Sequence, residues 1–233
     1  MPGHVSGGAP SRRRLGQHFL GSAQLAARLV ADAGVQGHDR VVDFGAGTGV
    51  LTAALAGRAA SVLAIELDVS LAGRLATRFA ETPNVVVLHA DARDVPLPRT
   101  PYRVVANPPF GRTAAILHRL LDHPEGALVR ADLVVQWQVA RHRARVHEGP
   151  PLDLLGAIWA PWWRFARGRR LPAGSFNPRP AVDAAVLEVV PRDEPLVPVD
   201  DFERYATFVR HGFGSRSDAP EREVGEWVAR FRA

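Results

Sequence analysis

Apolar and polar positions along this chain fall into two alternating kinds of stretch. Arg40-Val41-Val42-Asp43-Phe44, Ser61-Val62-Leu63-Ala64-Ile65-Glu66, Asn84 to Asp91, Tyr102-Arg103-Val104-Val105-Ala106 and Asp132 to Trp137 are short, mostly apolar runs that read as buried strands. Between them, Val50 to Leu55, Leu71 to Ala80 and Thr113 to Asp122 read as helices. Strands alternating with helices predict an α/β fold around a mostly parallel sheet. In such open sheets, ligands bind beyond the C-terminal ends of the strands.

The flanks extend the pattern. Ser22 is a candidate N-cap for a helix through about Ala33, with Leu25, Leu29 and Val30 on its buried face and Gly34 and Gly37 after it. Val139 to His147 reads as a basic helix, in which RNA contact and a solvated face are both open. Leu152 to Trp163 is apolar and runs into Arg164, Arg167, Arg169 and Arg170, expected as a charged loop. Aromatic residues beside arginines can bind single-stranded nucleic acid; the core is the preferred place for Trp159, Trp162 and Trp163, while phosphate contact stays open for the arginines. Asp183 to Val190 alternates as a strand, expected in an antiparallel pair at a sheet edge. After a linker from Pro191 to Pro198, Asp200 to Phe213 and Pro220 to Phe231 read as helices separated by a loose loop, Gly214 to Asp218. The expected organisation is an N-terminal basic segment (1–20), a catalytic domain (21–191) and a small helical C-terminal domain (192–233).

Candidate chemistry lies at the strand ends. Asn107-Pro108-Pro109-Phe110 follows the Tyr102 to Ala106 strand. The Asn107 amide oxygen and the Pro108 carbonyl can both accept from an exocyclic amino group, drawing its nitrogen out of conjugation and freeing the lone pair for attack. The prolines restrict the backbone, and Phe110 offers a stacking face. A proline-rich turn with no chemistry would read the same way. Upstream, Gly45-Ala46-Gly47-Thr48-Gly49 joins a strand to a helix, and alternate glycines let the backbone approach a ligand. Val50 stands where a dinucleotide fingerprint needs its third glycine, which disfavours a nicotinamide site. Glu66, at the next strand's end, can pair with ribose hydroxyls. Asp91 is preferred over Asp94 as acceptor from an adenine amine.

Composition narrows the classes. No cysteine is present, which excludes disulfides, thiolate metal sites and a cysteine nucleophile. All 29 basic residues are arginine and the net charge is +5, a balance that favours a polyanionic partner. The histidines show no persuasive metal spacing, so no metal is expected. No apolar run approaches the roughly 20 residues that span a bilayer, and Met1 to Pro10 lacks a signal peptide's apolar core. A cytoplasmic protein without membrane contact is expected.

The ordered set of glycine loop, ribose acid, second acid and Asn-Pro-Pro-Phe resembles S-adenosylmethionine-dependent methyltransferases that act on amino groups. Asn-Pro-Pro-Phe alone is also similar to the motif of DNA adenine methyltransferases. Gly16-Gln17-His18-Phe19-Leu20 and Phe176-Asn177-Pro178-Arg179-Pro180 with Val182 resemble two segments of the ribosomal RNA adenine N6-dimethyltransferases, over about residues 11–190. Ser11 to Leu15, the Asp43 to Gly49 loop and the short C-terminal segment look most like the erythromycin-resistance (Erm) branch, which methylates an adenine of 23S RNA; the alternative is the housekeeping branch that acts on 16S RNA.

The resemblance implies a seven-stranded Rossmann-like sheet, S-adenosylmethionine as cofactor, ribosomal RNA as partner and a monomer. It implies that Gly45 and Gly47 approach the cofactor's methionine part, that Glu66 holds the ribose, and that Asp91 with Ala92 meets the adenine. His18 and Leu20 would line the same pocket. Asn107, also near the cofactor, and Pro108 would bind the target amine, and Phe110 would stack on the flipped base. His18 replaces the family's usual asparagine, and Pro108 its usual Ile or Leu.

Overall fold

The computed structural model describes residues 17–147, 152–215 and 222–233. Ser11 to Gly16, and the part of the expected C-terminal loop from 216 onward, lie outside the described residues. Nine strands and eight helices occur among the described residues, in the order β1 (Phe19–Leu20), α1 (Ala23–Asp32), β2 (Arg40–Phe44), α2 (Val50–Ala56), β3 (Ser61–Glu66), α3 (Val69–Arg78), β4 (Val85–His89), β5 (Tyr102–Ala106), α4 (Thr113–Leu121), β6 (Leu128–Gln136), α5 (Trp137–Ala144), α6 (Leu154–Trp159), β7 (Trp163–Leu171), β8 (Phe176–Asn177), β9 (Ala184–Pro191), α7 (Phe202–Ser215) and α8 (Val224–Arg232).

Seven strands form one sheet in the order β4-β3-β2-β5-β6-β9-β7. The pairs from β4 to β6 are all parallel, while β9 runs antiparallel to both β6 and β7. The expected mostly parallel seven-stranded sheet is therefore present, with one reversed strand inside its far end. The chain winds outward from β2 through β3 to β4, then crosses back to β5 on the other side of β2. That reversal opens a crevice above β2 at the C-terminal strand ends.

Helices cover both faces because both faces are apolar. Val42, Val104 and Leu133 point into one hydrophobic cluster, and their neighbours Val41, Val105 and Val134 into the other. This is the period of two of an extended chain, in strands buried on both sides. Ser22 caps α1 as expected, its hydroxyl accepting from the Leu25 amide at 3.2 Å. Trp159, Trp162 and Trp163 are buried in the first cluster. Phe202 and Tyr205 of α7 pack edge-on to Trp162, at 5.1 and 5.4 Å between ring centroids. The C-terminal helices thus share the sheet's core.

Three local expectations are corrected. The strand expected over Asn84 to Asp91 ends at His89, so Asp91 stands past the sheet rather than at its edge. The strand expected from Asp132 begins at Leu128, because Asp132 is neutralised inside it by Arg130 at 2.6 Å. The arginine stretch after Trp163 is not a loop but the edge strand β7. Its apolar Trp163 and Phe165 alternate with exposed Arg164 and Ala166, a strand signal masked by the charges. Among the described residues, no helix is long and apolar enough to cross a membrane.

Candidate active site

The crevice above β2 is built by three loops and the segment before β1. The glycine loop leaves β2 with Gly45 at φ 72° and Gly47 at φ 58°, left-handed conformations that side chains resist. Space decides as well. A Cβ on Gly45 would lie 3.1 Å from the Pro109 ring, and one on Gly47 would lie 2.8 Å from the Phe19 ring. The Gly45 and Ala46 amides donate to the Ile65 carbonyl at 2.8 and 3.1 Å, fastening the loop to the end of β3.

Glu66 closes β3 and is 2% exposed. Its two oxygens accept from the Gly47 and Asp68 amides, each at 2.8 Å. A carboxylate offers about four acceptor sites, so two backbone bonds hold it in place and leave capacity for hydroxyl groups. Glu66, Asp91, Ala92, Gly45, Gln17 and Arg112 line one cleft.

Asp91 is more heavily engaged than the sequence suggests. Arg93 donates to both its oxygens at 3.0 and 2.7 Å, its own amide adds a bond at 3.0 Å, and Arg112 donates at 3.1 Å. These bonds, those from the Arg93 side chain above all, hold the carboxyl far below the usual carboxylate range.

A smaller hollow shares Gly45 with the cleft and is lined by Phe19, Leu20, Asp43, Thr48 and Asn107, among others. Asn107 follows β5 directly, on the other side of β2 from Glu66. Its Nδ2 donates to the His18 carbonyl at 2.8 Å. Its Oδ1 is buried and has no partner. A buried amide oxygen without a donor is costly, about 1–3 kcal/mol, and marks a position where a donor is missing. The preceding residues are held by a short antiparallel pair: Phe19 faces Asn177 and Leu20 faces Phe176. The His18 ring bonds the Pro178 carbonyl through Nδ1 at 2.8 Å. The Phe110 ring sits between His18 and Phe176, with centroids 5.3 and 6.1 Å away. Pro108 is buried against the glycine loop, its Cα 3.4 Å from where a Gly45 Cβ would be.

The residues singled out from the sequence therefore converge. Gly45, Glu66, Asp91 and Ala92 share the larger cleft; Leu20 and Asn107 line the hollow beside it; Gly47 reaches Glu66 through its amide. His18 lines neither space. It reaches the site through its carbonyl on Asn107 and its ring beside Phe110. Its neighbour Gln17, whose Oε1 is buried and unpartnered, faces the cleft instead. Sequence reasoning assigned no role to Gln17, Arg112 or Asp43. Asp43 carried a legible signal, a lone acid inside an apolar strand. It is 1% exposed, with Oδ2 accepting from Thr52 at 2.7 Å and Oδ1 unpartnered. Burial pushes its carboxyl up to about 7. Among the described residues, no cluster of His, Asp or Glu could hold a metal.

Comparison with known proteins fits this arrangement. The family model of ribosomal RNA adenine dimethylases matches residues 8–220. The mycinamicin-resistance protein MyrB of Micromonospora griseorubida is 35% identical over 95% of this chain and 72% of its own length. The ribosomal RNA small subunit methyltransferase A of Geobacter sulfurreducens is 31% identical over 90% of this chain and 78% of its own. Among solved structures, the 23S rRNA methyltransferase ErmE superposes with a TM-score of 0.72 at 29% identity, covering 87% of this chain and 82% of that one. With the methyltransferase sheet, the strand-end acids and Asn107 in place, the chain belongs to the ribosomal RNA adenine dimethylase family and is an rRNA adenine N6-methyltransferase.

Proposed function

We propose that this protein uses S-adenosylmethionine to methylate N6 of one adenine in 23S ribosomal RNA, and that the mark confers macrolide, lincosamide and streptogramin B resistance. The observation that carries the chemistry is the buried, unpartnered Oδ1 of Asn107. Because Nδ2 is already held by the His18 carbonyl, the oxygen is the atom left to take a donor. An adenine amino group supplies that donor.

The residues present suit the cofactor. Gly45 and Gly47 hold left-handed turns that keep the loop backbone bare, Gly45 at the cleft itself, Glu66 stands ready for vicinal hydroxyls, and the unpartnered Asp43 oxygen suits a nearby cation. When bound, S-adenosylmethionine supplies a methyl group activated by a sulfonium. The chain's own contribution is positional. Asn107 and the Pro108 carbonyl accept from the amine and keep its lone pair available for in-line attack. Phe110, flanked by His18 and Phe176, offers a face to the extruded base. Catalysis of this kind rests on orientation and on acceptors placed in advance.

The resistance-type relative MyrB and the neighbour ErmE support the 23S target. The small-subunit relative supports the second reading, dimethylation of 16S RNA, with the same site. The deciding experiment is transfer of labelled methyl to protein-free 23S RNA and, in parallel, to immature small subunits, with primer extension to locate the mark. A single modified adenine in 23S RNA is expected. Two adjacent adenines in 16S RNA would overturn the 23S assignment. A strain expressing the gene is expected to lose macrolide sensitivity; unchanged sensitivity would remove the resistance reading.

A further inference from the structure

Trp137, Arg167 and Arg170 meet on the same rim of the sheet as Asn107, yet none of them belongs to the site described above. Strand β6 outruns its neighbour β5: Leu133 pairs with Ala106, and the strand then continues to Gln136. Trp137 follows at once, its amide donating to the Asp183 carbonyl at 2.9 Å. One strand spacing across and about three residues along place it roughly 11 Å from Asn107.

The two arginines come from β7, beyond β9. Residues three apart on a regular strand face opposite sides, so Arg167 and Arg170 should diverge. They do not, because β7 is bulged. Arg167 pairs with Leu187 and Arg170 with Ala185, so three steps along β7 match two along β9. The extra residue turns both side chains to one face. Both guanidinium carbons lie 4.6 Å from the centroid of the Trp137 ring. Gly168 sits inside the bulge, where a Cβ would crowd the Glu188 carboxylate and lie 3.2 Å from the Val186 Cβ.

Charge at this spot is uneven. Arg170 is tied to Asp183 at 2.8 Å. Exposed Arg167 has no carboxylate partner among the described residues, and stacking on the indole holds it in place. A guanidinium fixed by stacking keeps its N–H edge for an oxyanion, and a backbone phosphate presents two oxygens that this fork fits. The partner must reach Asn107 with an extruded base while its backbone continues along the rim.

We propose that Trp137, Arg167 and Arg170 form a backbone clamp for the single-stranded RNA that flanks the target adenine, with Arg167 contacting a phosphate. The clamp rests on the reading of the chain as an RNA methyltransferase, but not on which ribosomal RNA it modifies.

The test is binding of the full chain to protein-free fragments of 23S and 16S RNA across a series of salt concentrations, comparing wild type with Arg167→Gln and Arg167→Gln/Arg170→Gln. S-adenosylhomocysteine affinity and thermal stability are measured beside it. Loss of one phosphate contact on a single strand is expected to lower the slope of log affinity against log salt by about 0.7. Affinity at low salt should fall several-fold on the RNA that the wild type methylates, while S-adenosylhomocysteine binding and melting temperature stay unchanged. An unaltered slope and affinity in both variants would overturn the clamp, as would a loss of RNA binding that merely follows a loss of stability. If the wild type methylates neither RNA, the 23S reading fails, and the salt slopes still decide the clamp. If it methylates 23S RNA and the slopes do not change, only the clamp fails.

Discussion

Glu66 and Asn107 stand at the ends of the two strands that flank β2, and their polar atoms are treated in opposite ways. Glu66 is closed in by the backbone: two amides fix its oxygens, one from the glycine loop and one from its own turn. Asn107 is half-closed: its nitrogen is held and its oxygen is left buried and unpaired. Holding a ligand calls for a group already oriented, and backbone amides orient it without side-chain entropy. Activating an amine calls for an acceptor whose bond is made only when substrate arrives, so its unsatisfied state in the free protein is the cost of readiness. In the function proposed above, the first arrangement would support binding and the second rate.

The sharpest way to break the comparison is to remove the acceptor. Asn107→Ala is expected to lower kcat by about 10²–10³, the range seen when one preorganised hydrogen-bonding group is deleted from an active site. S-adenosylhomocysteine affinity should stay within a few-fold, because Glu66 and the glycine loop are untouched. Single-turnover methyl transfer and calorimetry on the same preparation read both quantities. Equal losses in binding and rate would mean that Asn107 serves the cofactor and not the amine.

Asp43 offers a second way, through pH. It resembles Asn107 in having one polar atom bonded and one buried oxygen without a partner, but it can escape by taking a proton. Its folded pKa, about 7, lies above the ordinary value of 3.8, first because burial disfavours the charge and then because Glu66 repels it. Between those two values the native state binds more protons than the unfolded chain, so stability falls as pH rises through that window and levels off above it. Asp43→Asn keeps the acceptor for Thr52 and removes the charge. Wild type and variant should melt together near pH 4, and the variant should be the more stable at pH 8 by about 2–4 kcal/mol, at 1.4 kcal/mol per pKa unit. Thermal melts across pH read this directly; a constant gap would mean that Asp43 ionises in the folded state as it does in the unfolded chain, and a gap still widening above pH 8 would mean that it stays neutral there.

The frame of the molecule was legible because its signals are local. Continuous apolar runs marked β2, β3 and β5, Ser22 marked the start of α1, and the glycines marked the turn above β2. The strand-end positions of Glu66 and Asn107 followed from the same runs. What stayed hidden depends on contacts between distant segments. That His18 serves Asn107 through its carbonyl, while Gln17 faces the cleft, follows from the pairing of β1 with β8 across more than half the chain. The bulge that gathers Arg167 and Arg170 onto Trp137 is a matter of register between β7 and β9, which no single stretch displays. Asp91 was singled out for its type and for an expected place at a strand's edge, but the strand stops at His89; of its arginine partners, Arg93 is a near neighbour, while Arg112 comes from the turn after Phe110.

Those partners lead to the smallest expected effect. Every acceptor site of Asp91 is in use: Arg93 contributes its amide and two side-chain donors, and Arg112 contributes one. An adenine amine that bonds Asp91 must therefore displace a donor. Arg93 holds by three bonds and Arg112 by one, at 3.1 Å, so Arg112 is the donor that leaves. Its side chain is 31% exposed, and a pair so placed contributes about 0.2–1 kcal/mol. Arg112→Ala should accordingly tighten S-adenosylhomocysteine binding by up to about five-fold at low salt, with the advantage shrinking as salt rises. Isothermal titration at two ionic strengths measures both. Weaker binding in the variant would reverse the argument and make Arg112 the group that holds Asp91 in place for the adenine, a partner to Glu66's backbone amides rather than a competitor.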